Sequence, residues 1–198
     1  MTALVHALGR NTRSRAAVDA AAIIAGSLLI AGLAQLSMPL PFTPVPITGQ
    51  TLGVLLVGTS LGALRGGMSV GLYLVEGALG APFFADGAHG ISVLGASSAS
   101  GGYLWGFVVA AAVIGFLAER GWTDKIGSAI GAMFLGELII YAVGVTWLAF
   151  ALDVGGEQAM EYGLYPFIVG DVVKLLLAAS VLPAAVRLVG RREGRDRR

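Results

Sequence analysis

Residues 16–36 read AAVDAAAIIAGSLLIAGLAQL, 21 positions with a single charge, Asp19. As a helix this run is about 32 Å long at roughly 1.5 Å per residue, enough to cross the ~30 Å hydrocarbon core of a bilayer. Arg10, Arg13 and Arg15 precede it in the manner of a signal peptide's charged start. A signal's apolar segment is only about 7 to 15 residues long, so a membrane helix is the better reading. The run ends in PLPFTPVP at 39–46, where Pro39, Pro41, Pro44 and Pro46 remove backbone donors and cannot continue a helix.

The rest of the 198-residue chain carries the same signal. Hydrophobic residues make up 56% and charged residues 13%, against about 25% charged in soluble domains, and mean hydropathy is +0.81. Apolar runs and their punctuation predict helix 2 from Thr48 to about Leu64, with Thr48 or Thr51 as its cap. Helix 3 then follows Arg65 as the second arm of a hairpin, from Gly66 to Gly80. Helix 4 spans Gly101 to Ala118, helix 5 Lys125 to Leu152, and helix 6 Tyr165 to about Val189. The segment DVGGEQAMEYG before helix 6 reads as a loop. The expected fold class is therefore an all-α membrane protein with six transmembrane helices. A tail over 1–15, a membrane domain over 16–189 and a basic tail over 190–198 complete the division.

Charge placement orients it. With the N-terminus inside, Arg10, Arg13, Arg15, Arg65, Arg120, Lys125, Arg187, Arg191, Arg192, Arg195, Arg197 and Arg198 all fall on the inner side, and the three outer loops hold no Lys or Arg. The positive-inside rule then makes both termini cytoplasmic. Glycines at spacings of four, such as Gly58, Gly62 and Gly66, Gly67 and Gly71, Gly102 and Gly106, and Gly127 and Gly131, let helix backbones approach closely in lipid.

Several functions are excluded by what the chain lacks. There is no cysteine, hence no disulfide or thiolate site. The basic residues form tails and loop ends instead of a groove, which argues against nucleic acid. His6 and His89 stand far apart, so no metal cluster is expected. No nucleophile elbow, HExxH or phosphate-binding loop occurs. No cofactor is implied, and any ATP hydrolysis belongs to another subunit.

The thirteenth basic residue, Lys174, lies inside helix 6, three residues after Asp171. The two share a helix face, roughly 9 and 14 Å below Tyr165 at about 1.5 Å per residue. Ionisable residues inside a membrane span face the bundle interior or a wet cavity and mark candidate sites. An adjacent acid and base suit a polar, uncharged ring system; the competing reading is a structural ion pair. Glu137, Tyr141, Gly144 and Trp147 on helix 5 fall close to one face. Tyr141 and Trp147 reach the levels of Lys174 and Asp171 as candidate walls, although Trp147 also fits an interfacial belt. Glu137 is read as a packing residue or a proton carrier, and Glu76 either reaches the pocket or turns outward. The loop before helix 4 supplies Phe83, Phe84, Asp86 and His89. Gly101 and Gly102, after Ser97, Ser98 and Ser100, put small residues and backbone N–H groups at a helix start, where anions are favoured and serine capping is equally natural.

VPITGQTLGVLLVG at 45–58, the short hairpin through Leu61 to Gly67, YLVEGALGAPFFA at 73–85, SGGYLWGF at 100–107 and GDVVK at 170–174 together resemble the BioY family. Its members are the membrane-embedded substrate-binding (S) components of energy-coupling-factor (ECF) transporters for biotin. The resemblance implies a vitamin cavity open to the outside, in a multi-pass protein of a prokaryotic cell (inner) membrane. The family's Asp-x-x-Lys falls on Asp171 and Lys174, and its Gly-Gly-Tyr on Gly101, Gly102 and Tyr103. Biotin's ureido N–H groups would then meet Asp171 and its carbonyl Lys174. Phe83, Phe84, Tyr103 and the start of helix 4 would take the valerate tail, with the reverse placement open. The family's Pro-Thr before Gly-Gly-Tyr is replaced here by Ala99 and Ser100. S components also dock a transmembrane coupling subunit through small residues of helix 1, which here are Ala17, Ala21 and Ala25, and ATPase subunits drive the complex. Rival readings are an S component for another vitamin, an integral membrane enzyme using Glu137 and Asp171, and a structural membrane protein with the ion pair as glue.

Overall fold

The computed structural model describes residues 12–178, with side chains from residue 15 onward. The two tails and the expected continuation of helix 6 to Val189 lie outside the described residues, as do the basic positions within them. The element order is α1 (Thr12–Ala34), a two-residue strand β1 (Ser37–Met38), its antiparallel partner β2 (Ile47–Thr48), α2 (Gln50–Ala78), α3 (Gly101–Glu119), α4 (Ile126–Leu152) and α5 (Gly156–Gly163). A last helix, α6, occupies 168–178. Four of these stretches, over Arg15–Ala34, Gln50–Ala78, Gly101–Glu119 and Ile126–Leu152, have the length and apolar composition of a membrane-crossing helix, the second of them interrupted at Gly62.

The expected hairpin exists, but its turn lies elsewhere. Within α2, Gly62 has φ 83° and ψ 179°, a backbone region essentially reserved for glycine. The chain reverses there. Gln50 Nε2 donates to the Tyr73 hydroxyl, a pair that one continuous helix would hold about 35 Å apart, and a Cβ added to Gly66 would stand 3.0 Å from the Gly58 Cα. The arms 50–61 and 63–78 are only about 18 and 24 Å long, so each is shorter than a full span. Arg65 is not the turn; it lies inside the second arm and pairs with Asp19 of α1.

Neighbours in sequence pack as neighbours in space: α1 on α2, α2 on α3, α3 on α4, α4 on α5. Glycine sets the closest of these approaches. A Cβ at Gly115 would run into the backbone of Gly62 and Ala63, and one at Gly58 would lie 2.8 Å from the Ala111 carbonyl oxygen. Not every spaced glycine serves this purpose, since Gly71, Gly127 and Gly131 meet nothing within 4 Å. Val54, Leu55, Tyr73, Phe84, Ile114, Met133 and Ile140 form the interior, with Tyr73 and Phe84 in edge-to-face contact at 5.5 Å. Leu28, Phe134, Phe150 and Val173 point outward, which lipid tolerates without cost. On α6 the buried positions Asp171, Leu175 and Ala178, with partly buried Lys174 between them, make one inward stripe at helical spacing.

Two expected connections have structure of their own. The segment after α4 turns at Asp153, in the left-handed region at φ 52°, and then forms α5 where a loop was expected. Its buried residues are Ala159 and Gly163. The proline segment is tied across by β1 and β2 and by the Thr43 hydroxyl, which donates to the Tyr162 carbonyl at 2.6 Å.

Candidate functional site

A cavity of about 310 Å³ opens between the 79–100 segment, the start of α2, α3, α4 and α6, within the range usual for small-molecule sites. Its charged lining residues are Asp86, Asp171 and Lys174. Lys174 Nζ donates to Asp171 Oδ1 at 2.7 Å and to the Thr51 hydroxyl at 3.1 Å. Thr51 donates in turn to Asp171 Oδ1 at 3.3 Å, and the Tyr141 hydroxyl donates to Oδ2. Both charges are thus met by partners from α2, α4 and α6, and the group presents an acceptor beside a donor at the cavity wall. Burial of an acid and a base together lowers the desolvation cost of each.

The segment that covers this wall is pinned by side-chain donors to its carbonyls. Gln35 Nε2 reaches the carbonyl oxygens of Pro82, Phe83 and Phe84, each at 3.3 Å. Trp105 Nε1 donates to Leu94 O at 3.3 Å, and Trp147 Nε1 to Ser98 O at 3.1 Å. Two 3₁₀ turns, Ala85–Gly87 and Ile91–Leu94, shape the cover between those ties.

Of the residues singled out from sequence, Phe84, Asp86, Tyr103, Tyr141, Asp171 and Lys174 line the cavity. Tyr103 presents its ring, packed on Gly144, while its hydroxyl donates to Gly163 O of α5 at 2.8 Å. Phe83, Gly101, Gly102 and Trp147 are not among the lining residues. A Cβ at Gly102 would collide with Trp147, so the two glycines serve the α3–α4 contact and the tryptophan pins a loop. Glu76 accepts from the Ser27 hydroxyl and stays outside the lining. Glu137 is buried at 5% exposure with both carboxyl oxygens lacking a hydrogen-bond partner; it too is off the lining. His89 is exposed, its Nδ1 3.1 Å from Gly87 O, and no metal-binding group of His, Cys, Asp or Glu occurs among the described residues. Ala17, Ala21 and Ala25 form an exposed row on α1.

Thr48, Gln50 and Thr51 also line the cavity; the sequence marks Thr48 or Thr51 as a cap and all three as part of the 45–58 stretch of the family resemblance, with no ligand role for any of them. Gln50 N–H donates to Thr48 Oγ1 at 3.3 Å, whereas Thr51 turns to the ion pair. The signal available was a polar run, TGQT, in an otherwise apolar chain.

A family model described as the BioY family matches residues 7–191. A biotin transporter BioY of Rhizobium etli is 36% identical over 165 residues, which is 80% of this chain and 86% of the relative. Another, of Thermotoga maritima, is 40% identical over 156 residues, 78% of this chain and 87% of the relative. The crystal structure of the S-component for biotin from an ECF-type ABC transporter matches with a TM-score of 0.80 at 26% identity, over 89% of this chain and 95% of that chain.

Proposed function

The chain belongs to the BioY family, and from that premise we propose that it is the biotin-binding membrane subunit of an ECF-type ABC transporter. It is a multi-pass transport subunit and not an enzyme: it captures biotin from outside, and a transmembrane coupling subunit with ATPase subunits drives uptake. The observation that carries this reading is the Asp171–Lys174 pair at the cavity wall, fixed by Thr51 and Tyr141. Biotin's ureido group carries N–H donors and a carbonyl acceptor on one edge. Asp171 accepts from the first and Lys174 donates to the second, and charge-assisted bonds of this kind are roughly twice as strong as neutral ones. Phe84, Phe107, Tyr103 and Phe167, all on the lining, offer the apolar surface that the rest of the bicycle needs.

The finer topology belongs to the same reading. Six passes, both termini cytoplasmic, and residence in a prokaryotic cell (inner) membrane agree with the placement of the basic residues. The exposed alanine row of Ala17, Ala21 and Ala25 is the docking ridge for the coupling subunit, since small side chains let a partner helix approach closely. The enzyme alternative lacks its second group at the cavity, because Glu137 does not line it.

The test is binding of radiolabelled biotin to the purified full chain in nanodiscs, with biotin, thiamine and riboflavin as competitors. Saturable binding displaced by biotin alone is expected, with a thermal stabilisation that grows with ligand concentration. Absence of saturable biotin binding together with thermal stabilisation by thiamine or riboflavin would move the chain to another vitamin.

A further inference from the structure

Resting on the biotin reading above, we infer that this cavity ranks its ligands by the charge of their tail, accepting carboxyl-amidated and amine-bearing forms of biotin at least as well as the free acid. With the ureido ring on Asp171 and Lys174, the tail is left to the remaining lining. There the charged side chain is Asp86. The lining as a whole holds two carboxylates and one ammonium, and that ammonium is already engaged by Asp171 at 2.7 Å and Thr51 at 3.1 Å.

Nothing else among the described residues supplies a cation to a tail carboxylate. Arg15, Arg65, Arg120 and Lys125 are off the lining, and the covering segment 79–100 contains no Lys or Arg. The backbone donors at the start of α3 are largely committed as well. Gly101 N–H bonds Ser98 O at 3.2 Å, while Tyr103 and Leu104 N–H bond Ser100 O at 3.1 and 3.3 Å; Gly102 does not line the cavity. Asp86 itself is exposed and held in the left-handed region at φ 56°, ψ 27°, within the turn that forms the cavity's rim. A carboxylate entering this space meets a like charge, with the Ser98 and Ser100 hydroxyls as its neutral donors; a carboxamide keeps those two partners without the repulsion, and an ammonium gains the charge of Asp86. The class that exploits the site is therefore an amide-linked biotin conjugate carrying an amine.

The experiment is a competition series against radiolabelled biotin on the full chain in nanodiscs of neutral lipid, using biotin, biotinamide and the monoamide of biotin with ethylenediamine. Their tails carry charges of −1, 0 and +1 on one ring system. The neutral amide is expected to bind at least as tightly as the acid, to within about threefold, and the amine-bearing amide about two- to fivefold more tightly than the neutral one at low salt. Asp86→Asn and raised ionic strength should each remove that last step. A preference of more than threefold for the free acid over biotinamide overturns the inference while leaving biotin binding intact. A charge ranking unchanged in Asp86→Asn overturns it too, and failure of all three compounds to bind overturns the biotin reading with it.

Discussion

Two ion pairs sit at opposite regions of the bundle, and their settings differ. Asp171 and Lys174 are three residues apart on one helix, 8% and 15% exposed, beside the cavity. Asp19 and Arg65 join α1 to the hairpin at 2.9 Å, 36% and 24% exposed, and neither lines that cavity. The contact between two residues of one helix does not itself join helices; the ties to α2 and α4 run from Asp171 and Lys174 to the neutral hydroxyls of Thr51 and Tyr141. Fastening alone would be served by neutral groups, so charge retained there points to a ligand. The other pair lies beside a broken backbone. The Ala63 N–H, just past Gly62, is met by the Glu119 carboxylate at 3.0 Å, and Arg65 by Asp19. Non-helical backbone in an apolar setting persists only where protein satisfies it; Glu119 does so for the Ala63 N–H, while Asp19 pairs with the Arg65 side chain.

The strongest way to break this contrast is to remove Lys174. Lys174→Ala strands a buried carboxylate, a loss of about 3–5 kcal/mol, and biotin affinity should fall at least about 100-fold in radioligand binding. The double variant Asp171→Leu/Lys174→Met separates site from fold. Apolar replacement of a whole buried pair is often neutral or stabilising by about 1–4 kcal/mol, so its thermal midpoint should match or exceed that of the unaltered chain while binding stays absent. A double variant that still binds biotin would reduce this pair to the structural kind.

Gly62→Ala probes the other region. It forces a Cβ toward the Glu119 carboxylate and into a backbone region that costs about 1–3 kcal/mol for other residues. A lowered unfolding midpoint with affinity held within about threefold is the expected result; a collapse in affinity would join the regions that the contrast separates. Tyr141→Phe is smaller and local. It deletes one hydrogen bond to a charged acceptor, about 1.5 kcal/mol of stability, so the unfolding midpoint should fall by less than in Lys174→Ala, and biotin should weaken about tenfold.

Much of this was legible in the sequence, because in lipid a helix announces itself by length and punctuation. The expected Gly101–Ala118 became Gly101–Glu119, and Lys125–Leu152 became Ile126–Leu152. The hairpin turn was misplaced because a charge usually ends a span. Arg65 is instead kept within the second arm by Asp19, a partner that no local pattern reveals. The α5 segment looked like a loop from its glycines and acids, yet Ala159 and Gly163 are small enough to lie buried. Asp171 and Lys174 stood out because charge inside an apolar run is costly wherever it points. Trp147 shows the limit of such reading: depth along a helix gives its level, whereas rotation, set here by Gly102, decides which way it faces. Thr51 was hidden for a similar reason, since a threonine at a helix start satisfies the local rule for a cap before any distant partner is considered.

The smallest effect sharpens the contrast most. Asp19→Asn and Arg65→Gln, alone and together, form a double-mutant cycle on a pair that is a quarter to a third exposed, and exposed pairs couple by about 0–1 kcal/mol. Chemical unfolding should return a coupling in that range, shrinking as salt rises, and biotin affinity should not move in any of the three variants. The hairpin would still be closed by Gly62 and by Glu119 on the Ala63 N–H, so losing one ion pair leaves the turn's backbone satisfied. A coupling above about 2 kcal/mol would mean that the pair is far more desolvated than its exposure indicates. It would then be the Asp19–Arg65 contact, and not Gly62 with Glu119, that holds the short arms of α2 against α1.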